Sequence, residues 1–217
     1  MADKLARYPL SPRLSRILIE AMERGVGEDG CVAAALLESG ARSEKGDLLD
    51  AMESRHDYRT VQHIEQLRRM AHPSKQAKHD DNELLKSVLA GFPDRVARRR
   101  AGNQVLLSTG ASAEIAGEPP IYEFMVAIDA EDRKDKPLPL VSMTSRVEPE
   151  WLIDLFPDHV REQSGVTWNR IAERVEAVSV LLYDNLVIQE FRDTQPDGGR
   201  IRSALEQGAG NGDRGVC

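Results

Sequence analysis

The apolar pattern of this chain changes period near Gly102, and that change constrains the fold more than any other feature. Before it, apolar residues recur with helical spacing. Ser11 suits a helix N-cap and Pro12 the first helical position, and Leu14, Ile17, Leu18, Ala21 and Met22 then form one apolar face. Gly25 reads as a C-terminal stop. A second helix is expected over Cys31 to Ser39, ending near Gly40, and Asp47 is placed to cap a short third one containing Leu48, Leu49 and Met52. Tyr58, Val61, Ile64 and Leu67 mark a fourth, which must end before Pro73. Leu84, Leu85, Val88 and Leu89 mark a fifth, with Phe92 to Arg99 expected to continue as helix after a break at Gly91–Pro93.

After Gly102 short runs of Val, Ile and Leu alternate with turn residues, which reads as strands. Gln104 to Ser108, Ser112 to Ile115, Tyr122 to Asp129 and Leu138 to Thr144 are four candidates, separated by turns such as AGEPP and DAEDRKDKP. A short helix, PEWLIDLF, follows from Pro149. Two more strands are expected within Val166 to Val180 and Leu181 to Phe191, with a helical reading of Asn169 to Ser179 left open. The expected class is α+β. A helical domain over residues 1–100 precedes a small OB-like β-barrel with one inserted helix over residues 101–192, and a Gly/Asp/Arg-rich tail over 193–217 reads as disordered.

Composition narrows the function classes. Of 217 residues 41% are hydrophobic and only 5% aromatic, so aliphatic side chains must fill the core. No apolar run approaches the roughly 20 residues of a membrane span. The N-terminus lacks the apolar core of a signal peptide, and Cys31 and Cys217 do not make a disulfide framework, so a cytoplasmic protein is expected. The net charge of −7 argues against a surface that attracts nucleic acid everywhere. It leaves room for a local basic track. Arg95, Arg98, Arg99 and Arg100, opposed only by Asp94, form the densest positive cluster.

LARYPLSPRLSRILIEA from Leu5, CVAAALLESG from Cys31, GFPDRVARRR from Gly91 and QVLLSTGASAEI from Gln104 together resemble the C-terminal accessory region of HrpB-type ATP-dependent helicases of the DEAH-box family. The resemblance covers about residues 5–190. It implies a helical ratchet-like domain followed by an OB-like barrel, lying against the single strand that leaves the motor. The motor is missing from this sequence: there is no G-x-x-x-x-G-K-[ST] loop for phosphates and no Asp-Glu-x-His for magnesium. QPDGGRIR (Gln195 to Arg202) resembles the family's arginine-finger motif only faintly and stands after the barrel, which gives it no such role. ATP and magnesium are therefore expected only for the complete family motor. No cofactor is expected in this chain, which should not hydrolyse ATP by itself.

Each candidate contact has a structural counterpart. Arg95, Arg98, Arg99 and Arg100 can touch phosphates or can complete a helix end and pair with carboxylates. Arg95, at a domain junction, also suits a structural clamp. Arg13 and Arg16 flank the first apolar face, where strand contact competes with solvent exposure and domain packing. Trp168 between Thr167 and Asn169 is the aromatic best placed to stack on a base. His56, His63, His72 and His79 lack the intervening ligands of a zinc site, so no metal is expected. The expected partner is single-stranded nucleic acid, RNA ahead of DNA, without a membrane. The alternatives are a protein-interaction module that docks on a separately encoded helicase motor, and a non-functional gene fragment.

Overall fold

The computed structural model describes residues 8–40, 43, 45–74, 79–134, 136–169 and 174–193. The expected tail lies outside them from residue 194 onward. The chain divides into two compact units, Met1–Trp151 and Leu152–Cys217.

Helices open the first unit, and their boundaries follow the capping residues. In α1 (Pro12–Glu23) the Ser11 hydroxyl accepts from the Leu14 amide, and Ile17, Leu18 and Ala21 are fully buried. Burying one such Leu or Ile contributes about 1.5–3 kcal/mol. Helix α2 (Gly27–Ser39) ends on left-handed Gly40. The Asp47 carboxylate caps α3 (Leu48–Glu53), accepting from the amides of Leu49 and Asp50. Asp57 caps α4 (Tyr58–Ala71), which stops at His72 in the left-handed region, ahead of Pro73. Asp80 caps α5 (Asp81–Gly91).

Helix α1 lies close to two neighbours. A Cβ on Gly30 of α2 would stand 2.4 Å from that of Ala21, and one on Gly91 of α5 would stand 2.5 Å from Ile17. Glycine is therefore demanded at both positions by proximity. Helix α4 departs from its expected face. Ile64 and Leu67 are buried with Thr60, but Tyr58 is 77% exposed and Val61 is exposed too. The first turn of α4 stands outside the cluster that Leu18, Cys31, Ala34, Ala35, Ile64 and Leu67 form.

The expected helix after Gly91 is not there. Phe92 is buried, a 3-10 turn covers Pro93–Arg95, and strand β1 (Val96–Arg99) begins at once. Proline presets the turn but donates no amide, and the Val96 and Ala97 side chains then enter opposite sides of a sheet. Strands β2 (Gln104–Leu107), β3 (Ser112–Ile115), β4 (Phe124–Glu131) and β5 (Leu140–Arg146) follow, within two residues of the expected positions. They close a five-stranded barrel in the order β1-β2-β3-β5-β4. Ala97, Val105, Ala113, Ile115, Met125, Ala127 and Val141 fill it, small side chains for a narrow interior.

Strands on both sides of the helix at Pro149 were expected to share this barrel. They do not. Strand β5 pairs with β4 antiparallel and with β3 parallel, while β4 pairs with β1, so no barrel edge is left open. Helix α6 (Pro149–Leu155) follows the closed barrel rather than interrupting it.

In the second unit β6 (Val160–Asn169), β7 (Arg174–Tyr183) and β8 (Leu186–Asp193) form a separate antiparallel sheet. Three strands thus stand where two were expected, and the helical reading over Asn169–Ser179 gives way to strand for its described part. The break is Asp184–Asn185, a two-residue hairpin turn with Asp184 at φ +50°. Tyr183 is fully buried, stacked on His159 at 5.6 Å and edge-on to Phe156 at 6.2 Å.

Candidate nucleic-acid interface

Because the segment after Pro93 is a turn and a strand, the four clustered arginines diverge. On β1 the side chains alternate. Ala97 points into the barrel, so Arg98 points out. There its guanidinium donates to Glu123 at 2.7 Å and lies 5.4 Å from the centre of the Phe124 ring. Arg99, one residue on, donates to the Pro120 carbonyl at 2.8 Å in the β3–β4 loop. Arg100 is exposed, and its backbone amide bonds to Gln104 across the β1–β2 turn. Arg95 turns back to donate to the Ile128 carbonyl on β4 and sits 5.6 Å from the Phe92 ring. Its geometry is that of a clamp between the 3-10 turn and the barrel.

Arg13 reaches across the unit. Its fork donates to both oxygens of Asp94, at 2.6 and 2.9 Å, and its charge lies 5.4 Å from the Phe92 ring. The hydrogen bonds from Arg13 hold the Asp94 carboxyl below the usual carboxylate range, against the opposing effect of burial. Arg16 donates to Glu20, one turn along α1, at 2.9 Å. Trp168 falls on β6 opposite Val175, in the second unit, and its side chain lies outside what is described. The structure thus brings Arg98, Arg99 and Arg100 to one end of the barrel and places Arg13, Arg16 and Arg95 elsewhere, each with a partner. Among the described residues no group of three or more His, Cys, Asp and Glu is placed to hold a metal ion.

A cleft of about 500 Å³ beside the arginines was not foreseen. One wall is the β3–β4 loop, Pro119, Pro120, Ile121 and Tyr122; the other is the turn before α3, with Lys45, Asp47 and Leu49. Ile121 is 95% exposed. The loop is fixed at several points. Asn103 donates to the Gly117 carbonyl at 2.7 Å, Arg99 to that of Pro120, and the Tyr122 hydroxyl to Asp47 at 2.9 Å. The Tyr122 hydroxyl also lies 2.7 Å from the Thr144 hydroxyl, and burial pushes its pKa well above the ordinary value. In the sequence, the Pro-Pro pair marks a turn between strands, and nothing local shows that an isoleucine beside it stays outside.

The sequence matches no protein-family model. It also matches no curated protein. Solved structures do match. Against the crystal structure of the Escherichia coli DExH-box NTPase HrpB the TM-score is 0.71 at 22% identity, over 97% of this chain and 26% of that one. Against a crystal structure of the Escherichia coli DEAH/RHA helicase HrpB it is 0.68 at 21% identity, over 94% of this chain and 25% of that one. The chain spans about a quarter of the length of these proteins. The likeness is one of fold, and it meets the resemblance drawn from the sequence motifs.

Proposed function

We propose that this chain is the accessory region of an HrpB-like ATP-dependent helicase, a helical ratchet-like domain with an OB-like barrel, and that it grips single-stranded nucleic acid, RNA above DNA. A barrel closed in the order β1-β2-β3-β5-β4 supports the OB-like reading, since OB-folds are small five-stranded Greek-key barrels that take oligonucleotides. The observation that carries the proposal is the gathering of Arg98, Arg99 and Arg100 at one barrel end, in a fold similar to a quarter of HrpB. The action is steric and electrostatic. Guanidinium groups hold phosphates without reading bases, so motion of a motor moves the strand. ATP and magnesium would belong to that motor, which this chain does not carry.

The acidic balance of −7 and the carboxylates already on Arg13 and Arg98 favour one second reading. In it the chain is a protein module that docks on a helicase motor supplied in trans and contributes packing rather than strand contact.

Anisotropy titration of the purified chain with labelled single-stranded RNA and DNA at two salt concentrations separates the two. The strand-gripping reading expects weak, sequence-tolerant binding that falls as salt rises, because each neutralised phosphate releases counterions. The combined variant Arg98→Ala/Arg99→Ala/Arg100→Ala, checked for retained fold by circular dichroism, should bind at least about tenfold more weakly if each lost phosphate contact removes about 0.5–1 kcal/mol. Absence of binding even at low salt would overturn this reading and leave docking.

A further inference from the structure

We propose that the cleft between the β3–β4 loop and the turn before α3 is a seat for one unstacked base of the bound strand, with Ile121 as its platform. The inference rests on the strand-gripping reading and adds to it a place where a base, rather than a phosphate, is held. Three observations lead there. First, the walls nearest Ile121 are apolar: Pro119, Pro120 and Leu49, with Tyr122 beneath. A flat heterocycle loses water on both faces against such walls, and stacking of this kind tolerates any base.

Second, the platform is held in place. Exposed isoleucine on a loose loop would fold back onto neighbouring apolar surface. Here Asn103 at Gly117, Arg99 at Pro120 and Tyr122 at Asp47 fix the loop before and after Ile121, which stays 95% exposed. A preorganised apolar surface gives up little freedom when a ligand covers it.

Third, the charge at the cleft suits a nucleotide. Lys45 and Arg146 line it, and Arg99 binds the carbonyl of Pro120, one of its wall residues. Arg100 follows at the exposed end of β1. Against these four cations the cleft lining contributes the carboxylates of Asp47 and Glu118, of which Asp47 is already occupied by the amides of Leu49 and Asp50 and by the Tyr122 hydroxyl. In a chain of net charge −7 this is a locally cationic mouth on an apolar slot, which fits a base with its flanking phosphates better than an apolar protein segment. The volume of about 500 Å³ lies in the range of small-molecule sites.

The test uses the full chain, a labelled single-stranded RNA, and the same RNA carrying abasic positions. Ile121→Glu is the informative variant because a side chain that touches so little protein can be changed without disturbing folding. The expected result is that Ile121→Glu weakens binding of the intact RNA by about fivefold or more. The abasic strand should bind the unaltered chain more weakly and be indifferent to Ile121→Glu. The triple arginine variant should weaken both strands. If Ile121→Glu leaves RNA binding unchanged while the triple variant reduces it, the base seat is overturned and the strand-gripping reading stands; the cleft is then a surface for protein. If the unaltered chain binds neither strand at low salt, both fall together.

Discussion

The guanidinium of Arg13 and the carboxylate of Asp94 meet through two hydrogen bonds, 2.6 and 2.9 Å long, that join the first helix to the turn entering the barrel. A two-pronged pair of this kind is stronger than a single contact and depends on the planar fork. Both side chains remain about half exposed, so solvent screening keeps the contribution to about 1 kcal/mol. Arg13→Ala is expected to lower the unfolding free energy by that amount in a urea titration, and Arg13→Lys to recover only part of it. Recovery in full by lysine would show that charge alone matters there. The pH sign follows from Asp94. Its folded pKa is depressed, so the stabilisation is present above the ordinary aspartate pKa of about 3.9 and is lost as pH falls through the folded value.

His79 carries the opposite sign. Its Nδ1 lies 2.9 Å from Asp29, in the first turn of α2, and its Nε2 lies 3.3 Å from Asp81, at the start of α5, with the Asp80 cap alongside. The hydrogen bond and charge of Asp29, then Asp81 and Asp80, raise the histidine pKa above 6.5. The protonated ring therefore links two helix ends. That stabilisation is complete below the unfolded pKa and disappears as pH rises through the raised folded value. His79→Gln is expected to remove the mildly alkaline part of the decline in thermal midpoint between about pH 6 and pH 9, the range over which a histidine of raised pKa titrates. A midpoint profile identical in shape to that of the unaltered chain would exclude the linkage.

How much could be read beforehand differs by physical cause. Helix ends were legible because capping is local: Ser11, Asp47 and Gly40 act within one turn of themselves. The first barrel strands were legible from β-branched runs between turns. The segment Phe92–Arg99 misled because Val96 at helical spacing from Phe92 looks amphipathic, while the decision is made by β2 and β4, which pair with β1 from far along the chain. Barrel closure was illegible for the same reason. Nothing local in Glu114–Ile115 shows that they run parallel to Leu140–Val141 and shut the barrel before the last helix. The arginine cluster was legible as charge, but its division among Glu123, the Pro120 carbonyl and the Ile128 carbonyl follows from strand alternation. The cleft needed Asp47 and Tyr122 to meet, and only tertiary structure brings them together.

Tyr122 makes that meeting testable. One proton assignment satisfies every group. The tyrosine donates to Asp47, the Thr144 hydroxyl donates to the tyrosine oxygen, and the Gly46 carbonyl accepts from the Thr144 amide at 2.7 Å. Tyr122→Phe removes the central hydroxyl. Thr144 can then turn to the Gly46 carbonyl, 3.1 Å away, and the other oxygen of Asp47 still caps α3. The expected loss is about 1–2 kcal/mol, that of one buried hydrogen bond to a charged acceptor. A second signature distinguishes the network from simple packing. Because burial raises the folded tyrosine pKa, the native state keeps a proton that the unfolded chain releases, so stability should fall as pH rises past about 10, the ordinary tyrosine value. Urea titrations at about pH 9 and pH 11 bracket that value. The loss between them should be smaller in Tyr122→Phe than in the unaltered chain, and equal losses would mean that the hydroxyl is not held as described.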